Sequence, residues 1–142
     1  MRTKVIAEGT EKTYALILEK DEEAAAKLLE FAKKNKITAA HFTAIGGFSR
    51  AVLGYFDIEK KDYLRIPVDD QVEVVSLVGD VATEKEQPKV HAHVVLGKRD
   101  GTTRGGHLLE GHVRPTLEVV LAVSPAHLKR EFDAESGIAL IK

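Results

Sequence analysis

Cysteine is absent from the 142 residues. Disulfides are therefore excluded, and any metal ion must be held by imidazole, carboxylate or backbone oxygen. Amide side chains are scarce too: Asn35 is the only asparagine, and Gln71 and Gln87 are the only glutamines, beside many lysines and glutamates. That bias is the one described for hyperthermophile proteins. A charge excess is also missing, with 21 basic against 22 acidic side chains and a net charge of −1. Chains that live on phosphate backbones show a basic excess or a basic stripe. Here the basic clusters, Lys33/Lys34/Lys36 and Lys98/Arg99, are short. Residues 1–12 lack the apolar core of a signal peptide, and no apolar run nears the roughly 20 residues of a membrane span. The expected location is the cytoplasm. No repeat, low-complexity tract or linker divides residues 1–142, so one domain with a buried core is expected.

Residues 3–8 and 13–20 read as two strands around a Gly9-Thr10 turn. Asp21 is placed to cap a helix running to about Asn35, with Glu22 and Glu23 at its start and Lys33, Lys34 and Lys36 at its end. Ala24, Leu28, Phe31 and Ala32 fall at i, i+4, i+7 and i+8, one apolar stripe to lay on a sheet. From Ile37 the pattern is strand after strand. Residues 37–45, 51–58, 63–68, 72–82, 89–97 and 116–124 are rich in β-branched and aromatic side chains and parted by turn signals. Gly46-Gly47 reads as a turn, and residues 127–133 and 137–142 as a pair around Glu135-Ser136-Gly137. One helix and about eight strands imply an α+β fold, a mostly antiparallel sheet with the helix packed on one face.

Chemistry concentrates in Val90-His-Ala-His-Val-Val-Leu96. Strand residues two apart share a face, so His91 and His93 leave it side by side while Val90, Ala92, Val94 and Leu96 go to the other face. Lys98-Arg-Asp-Gly101 then reads as a hairpin turn that returns as Thr102-Thr-Arg-Gly-Gly-His107. A strict two-residue loop would set His93 opposite Leu108 and turn His107 to the wrong side, because a one-residue slip flips the face. An extra residue restores the match. A bulge at Gly105-Gly106, or an equivalent irregularity in the loop, is therefore expected. His91, His93 and His107 then form a site for one divalent ion, with zinc the first expectation. Three imidazoles with an open fourth position are the pattern of catalytic zinc sites. Nickel, cobalt, manganese or iron also accept imidazole. Of the remaining histidines, His41 reads as a packed strand residue, His112 as a loop residue able to approach the site, and His127 as exposed.

Ala44-Ile-Gly-Gly-Phe-Ser49, Ala51-Val-Leu-Gly-Tyr-Phe-Asp57, Val72-Glu-Val-Val-Ser-Leu-Val-Gly79, His91-Ala-His93, Gly105-Gly-His-Leu108 and Thr116-Leu-Glu-Val-Val120 follow one another across nearly the whole chain. In this order they resemble the plant- and prokaryote-conserved (PPC) domain family, the domain found beside AT-hooks in plant nuclear proteins. The resemblance implies an α+β domain that assembles as a homotrimer, with a metal on the histidines matching His91, His93 and His107. The family's fold is similar to that of acetolactate decarboxylase and of a zinc-dependent ester hydrolase family, both with three histidines on zinc. That analogy suggests lyase or hydrolase chemistry on a small carbonyl or carboxylate ligand without establishing it. No Arg-Gly-Arg-Pro AT-hook is present. The DNA-binding label of the plant relatives rests largely on that hook, so a DNA-binding or protein-recruiting module is the alternative reading.

Glu73 and Glu118 are acidic residues inside apolar strands, where a carboxylate must be solvated, paired or at work. Pairing with Arg50, Arg104 or Arg114 at a subunit boundary is one reading. Glu118 is the candidate general base or additional metal ligand. Arg114 is the candidate receptor for a small anionic ligand, with an intersubunit ion pair as its other reading.

Overall fold

The computed structural model describes residues 1–7, 11–124 and 127–142, the side chains of residues 3–7 excepted. Nine strands and one helix follow in the order β1 (Arg2–Ala7), β2 (Lys12–Glu19), α1 (Ala24–Lys34), β3 (Ala39–Asp57), β4 (Asp62–Val68), β5 (Val72–Glu84), β6 (Gln87–Gly97), β7 (Thr103–Val123), β8 (Lys129–Asp133) and β9 (Ile138–Ile141). This is the expected α+β architecture, and all strand pairs but one are antiparallel. The turn expected at Gly9-Thr10 lies outside the described residues.

The sheet closes on itself. β7 pairs with β3, β3 with β5, β5 with β6, and β6 returns to β7. β1 and β2 extend it from the far half of β7, β4 from the far half of β3, and the β8–β9 hairpin from the end of β5. Inward-facing residues meet at the centre, where Phe42, Phe48, Leu53, Leu77, Leu96 and Leu117 are fully buried. Helix α1 adds Ala24, Leu28, Phe31 and Ala32, the stripe expected from the periodicity, and Phe31 meets Tyr14 edge to face at 5.1 Å.

Three expectations need correction. The helix is capped by Glu23 rather than Asp21: its carboxylate accepts from the N–H groups of Ala25 (3.1 Å) and Ala26 (2.7 Å). The same carboxylate accepts from Gly111 N–H at 2.9 Å, which ties the helix start to β7. Asp21, at φ +68°, turns the chain out of β2 instead. Gly46-Gly47 is no turn either, because β3 runs unbroken through it. A Cβ on Gly46 would collide with the Thr116 carbonyl oxygen, and one on Gly47 with that of Arg114. These glycines let β7 pass close over β3. Finally, residues 103–123 form one strand, so His112 is not in a loop but opposite Arg50 in the β3–β7 ladder.

Glycine substitutions at Gly47 and Gly101 separate close approach from backbone conformation, while Gly46, at φ +152°, combines the two. Gly46→Ala and Gly47→Ala should each lose about 3 kcal/mol or more, or fail to fold, since backbone atoms must move. Gly101 lies at φ +82° with open space around it, so Gly101→Ala should cost only about 1–2 kcal/mol. Denaturant melts of the three variants test that ranking.

Candidate metal centre

β6 carries Ala92, Val94 and Leu96 into the core and leaves His91 and His93 on the opposite face. His91 Nε2 and His93 Nε2 are 3.2 Å apart. His107 joins them from β7 with its ring centroid 4.8 Å from that of His91 and 5.4 Å from that of His93. One ring nitrogen from each residue lies within 4.8 Å of the other two. Two nitrogens bound to one tetrahedral zinc stand about 3.3 Å apart, so the His91–His93 pair already has ligand spacing. Three imidazoles are also a donor set that zinc and its neighbours accept without a change of charge. The residues fit a divalent ion.

Convergence comes from the loop. From His93 opposite His107 to Gly97 opposite Thr103 the β6–β7 ladder is regular, with no bulge at Gly105-Gly106. The extra residue sits between Lys98 and Thr102, whose backbones pair at 2.8 Å around Arg99, Asp100 and Gly101. This is the three-residue hairpin with a left-handed glycine last. Gly106 has a separate reason to be glycine: a Cβ there would stand 2.8 Å from the Gly54 carbonyl oxygen on β3. Gly54, opposite His107, in turn leaves room for the Tyr63 ring, which lies 4.8 Å from the His107 ring.

Behind His91 stands a carboxylate–guanidinium pair. Asp80, opposite His91 on β5, has Oδ2 3.9 Å from His91 Nδ1, and its Oδ1 accepts from Arg130 Nη2 at 2.7 Å. Arg130 comes from β8, whose parallel pairing with β5 is anchored by Thr83: its N–H and hydroxyl both donate to Leu128 O, at 2.8 and 3.0 Å. Beside His91 and His107 opens a cleft of about 380 Å³, lined on its other sides by Tyr63, Lys89, Arg130 and the apolar Phe132 and Leu140. Asp80, Tyr63 and Arg130 carried no signal in the sequence reading. Arg130 and Tyr63 become visible only when β8 is laid on β5 and β4 on β3.

Burial, then the neighbouring imidazoles and Arg130, lower the His107 pKa from 6.5 to about 4. Burial and the Arg130 charge lower that of His91, against the opposing pull of Asp80. These two imidazoles are neutral at pH 7, the form a metal needs. Burial raises the Tyr63 phenol above its ordinary value, with Arg130 pulling the other way, so it remains an O–H donor.

The other residues singled out in the sequence lie elsewhere. Glu118 is exposed on β7 opposite Ile45, and Glu73 is exposed on β5 opposite Gly97. Arg114 is exposed beside the cis bond to Pro115. None of the three lines the cleft. His41 is exposed rather than packed, on the same face as Asp80, which it opposes. His112 meets Arg50 at 3.3 Å, and exposed His127 meets the Thr38 hydroxyl at 2.7 Å.

A closed antiparallel sheet with one helix and three converging imidazoles defines a small α+β domain with a candidate metal centre. Residues 6–125 match the model of the Plants and Prokaryotes Conserved domain, and the chain belongs to that family. A PPC protein of Pyrococcus horikoshii is similar at 36% identity and a TM-score of 0.86, over 92% of this chain and 90% of its own. A protein of Archaeoglobus fulgidus described as metal-containing is similar at 34% and 0.85, over 99% and 96%. One from Ralstonia eutropha with a provisional DNA-binding name is similar at 27% and 0.85, over 91% and 90%. A Staphylococcus aureus protein described as similar to α-acetolactate decarboxylase shares the fold alone, at 14% identity and a TM-score of 0.53, over 83% and 52%. The bifunctional protein GlmU of a Synechococcus is 30% identical over 139 residues, and this chain spans only 21% of its length.

The His107 shift has a measurable consequence in the metal-free protein. Between pH 6.5 and about 4 the unfolded chain takes up a proton that folded His107 refuses. The stability this group contributes is present above pH 6.5 and lost as the pH falls toward 4. Thermal melts should therefore decline over that window, and less steeply in His107→Gln. Equal slopes would remove His107 as the responsible group.

Proposed function

We propose that this chain is a metal-binding homotrimer whose triad of His91, His93 and His107 holds one divalent ion, zinc first, facing a small carbonyl or carboxylate ligand. The convergence of three imidazoles from two strands beside a cleft carries this reading, and the metal-containing relative supports it. A divalent ion there polarises a carbonyl or acidifies a water, chemistry used by lyases and hydrolases alike. The chain's own residues have distinct tasks. Asp80 Oδ2 stands 3.9 Å from His91 Nδ1, and on closing it would accept that nitrogen's proton and leave Nε2 to hold the ion. Tyr63 offers a phenolic proton at the cleft wall, and Phe132 and Leu140 add apolar surface to it. Glu118 and Arg114 lie outside the cleft of their own chain. A chemical role for either requires that assembly bring it to a neighbouring subunit's triad.

The trimer rests on the outer face of the sheet. Val120, Thr43, Val78 and His93 form one row across β7, β3, β5 and β6. Val78 and Val120 are 48% and 47% exposed, and Ile45 beside them 61%. Apolar side chains gathered on adjoining strands mark an interaction face, and the family resemblance supplies the threefold order. A net charge of −1 offers no counter-charge to a phosphate backbone, so direct DNA contact is not part of this reading. Among the described residues no helix is long and apolar enough to cross a membrane. A cytoplasmic setting is part of the proposal.

Wild-type protein should retain about one divalent ion per chain through gel filtration, measured by elemental analysis, and His93→Ala should retain none. Metal content unchanged by that substitution would defeat the reading. Asp80→Asn should keep the ion but bind it about 10–100-fold more weakly. Light scattering on Val78→Glu should show loss of the trimer.

A further inference from the structure

Arg130 is the least satisfied buried group among the described residues. Its side chain is only 9% exposed, yet its Nε N–H has no hydrogen-bond partner. Of five guanidinium N–H bonds, one goes to Asp80 at 2.7 Å and another reaches the Ala139 carbonyl at a long 3.4 Å. Its Nη2 also stands 3.4 Å from His91 Nδ1. A buried donor left without an acceptor is unfavourable and calls for an explanation, and this one belongs to a side chain that lines the cleft.

Around Arg130 the charges are nearly balanced. Lys89, the other cation of the cleft, is paired with Glu84 at 3.2 Å. Asp80 answers part of the Arg130 charge through one terminal nitrogen. What remains is a planar guanidinium with one partly answered positive charge, which matches a carboxylate better than a dianionic phosphate. Arg130, His91 and His107 line the same cleft, so one small molecule in it can meet both the guanidinium and the triad. Phe132, Ile138 and Leu140 give the cleft an apolar wall.

We infer that Arg130 is the recognition residue for the carboxylate of a compact 2-hydroxy or 2-oxo acid, whose second oxygen is thereby presented to the histidine triad. The inference deepens the metal-centre reading and rests on it. It moves anion recognition from Arg114, outside the cleft, to a residue built into its wall.

Glycolate and glycolamide have nearly the same shape and differ in charge, which makes them a matched pair of probes. The protein is loaded with cobalt(II), its cobalt content is measured, and each probe is titrated by calorimetry and by the cobalt absorption spectrum. Wild type should bind glycolate at least ten-fold more tightly than glycolamide. Arg130→Gln should keep its cobalt and lose that preference to within about two-fold. A second measurement needs no variant: in the zinc-loaded wild type the Arg130 Nε–H resonance should shift with glycolate and stay still with glycolamide. Failure to hold cobalt would defeat the metal-centre reading itself. With cobalt retained, any of four results overturns the role of Arg130 alone: no glycolate binding, equal affinity for the two probes, tighter binding of inorganic phosphate, or an unmoved resonance.

Discussion

A single residue in the Lys98–Thr102 loop decides whether His107 meets His93. Side chains alternate along β7, so a loop shorter by one would swing His107 away and bring Leu108 opposite His93. The loop holds its length through local chemistry. The Asp100 carboxylate accepts from Thr102 N–H at 3.0 Å and from its hydroxyl at 2.6 Å, which also holds the Asp100 carboxyl below its usual pKa. Gly101 supplies the left-handed backbone, and Lys98 is tied to Asp70 at 2.8 Å. A loop some distance from any ligand nitrogen thus sets the geometry of the centre.

The frame around that hairpin is made by two strands much longer than usual, β3 and β7, which pair along most of their length. Long strands must bend to close a sheet. Register shifts fall from Gly46 to Phe48, from Phe48 to Arg50 and between Val52 and Leu53, and Gly46, Gly47 and Gly106 each face a backbone oxygen of a neighbouring strand. Closure then brings β6 against the first part of β7 while β3 covers the other edge. His107 sits between His93 and Gly54, with Tyr63 over the gap.

The same long strands explain what could be read in advance. Local periodicity revealed the apolar stripe of α1, the shared face of His91 and His93, and the terminal hairpin, because each depends on neighbours in sequence. The requirement for one extra residue before His107 was also legible, since it follows from counting. Its location was not: Gly105-Gly106 and the Asp100-Gly101 turn both offer glycine, and only the loop uses it for register. Gly46-Gly47 reads as a turn for the same reason, because glycine permits a turn and a close crossing equally. Arg130 was out of reach. Its place depends on a parallel pairing of β8 with a strand more than forty residues earlier, Glu84 opposite Arg130, which no local pattern encodes.

That distant pairing gives the histidine centre a chemical constraint. An arginine can only donate, so the 3.4 Å approach of Arg130 Nη2 to His91 Nδ1 suits a ring whose proton is on Nε2. A metal ligand at Nε2 needs the opposite tautomer, with the proton on Nδ1 facing an acceptor. Asp80 Oδ2, at 3.9 Å, is the acceptor within reach. The two arrangements exclude each other at His91 Nδ1. Ligation through Nε2 therefore favours Asp80 closing on the ring and the guanidinium leaving it, still held by Asp80 Oδ1 on its other side. Ion ligation through His91 and the Arg130–His91 contact therefore oppose one another through the position of one proton.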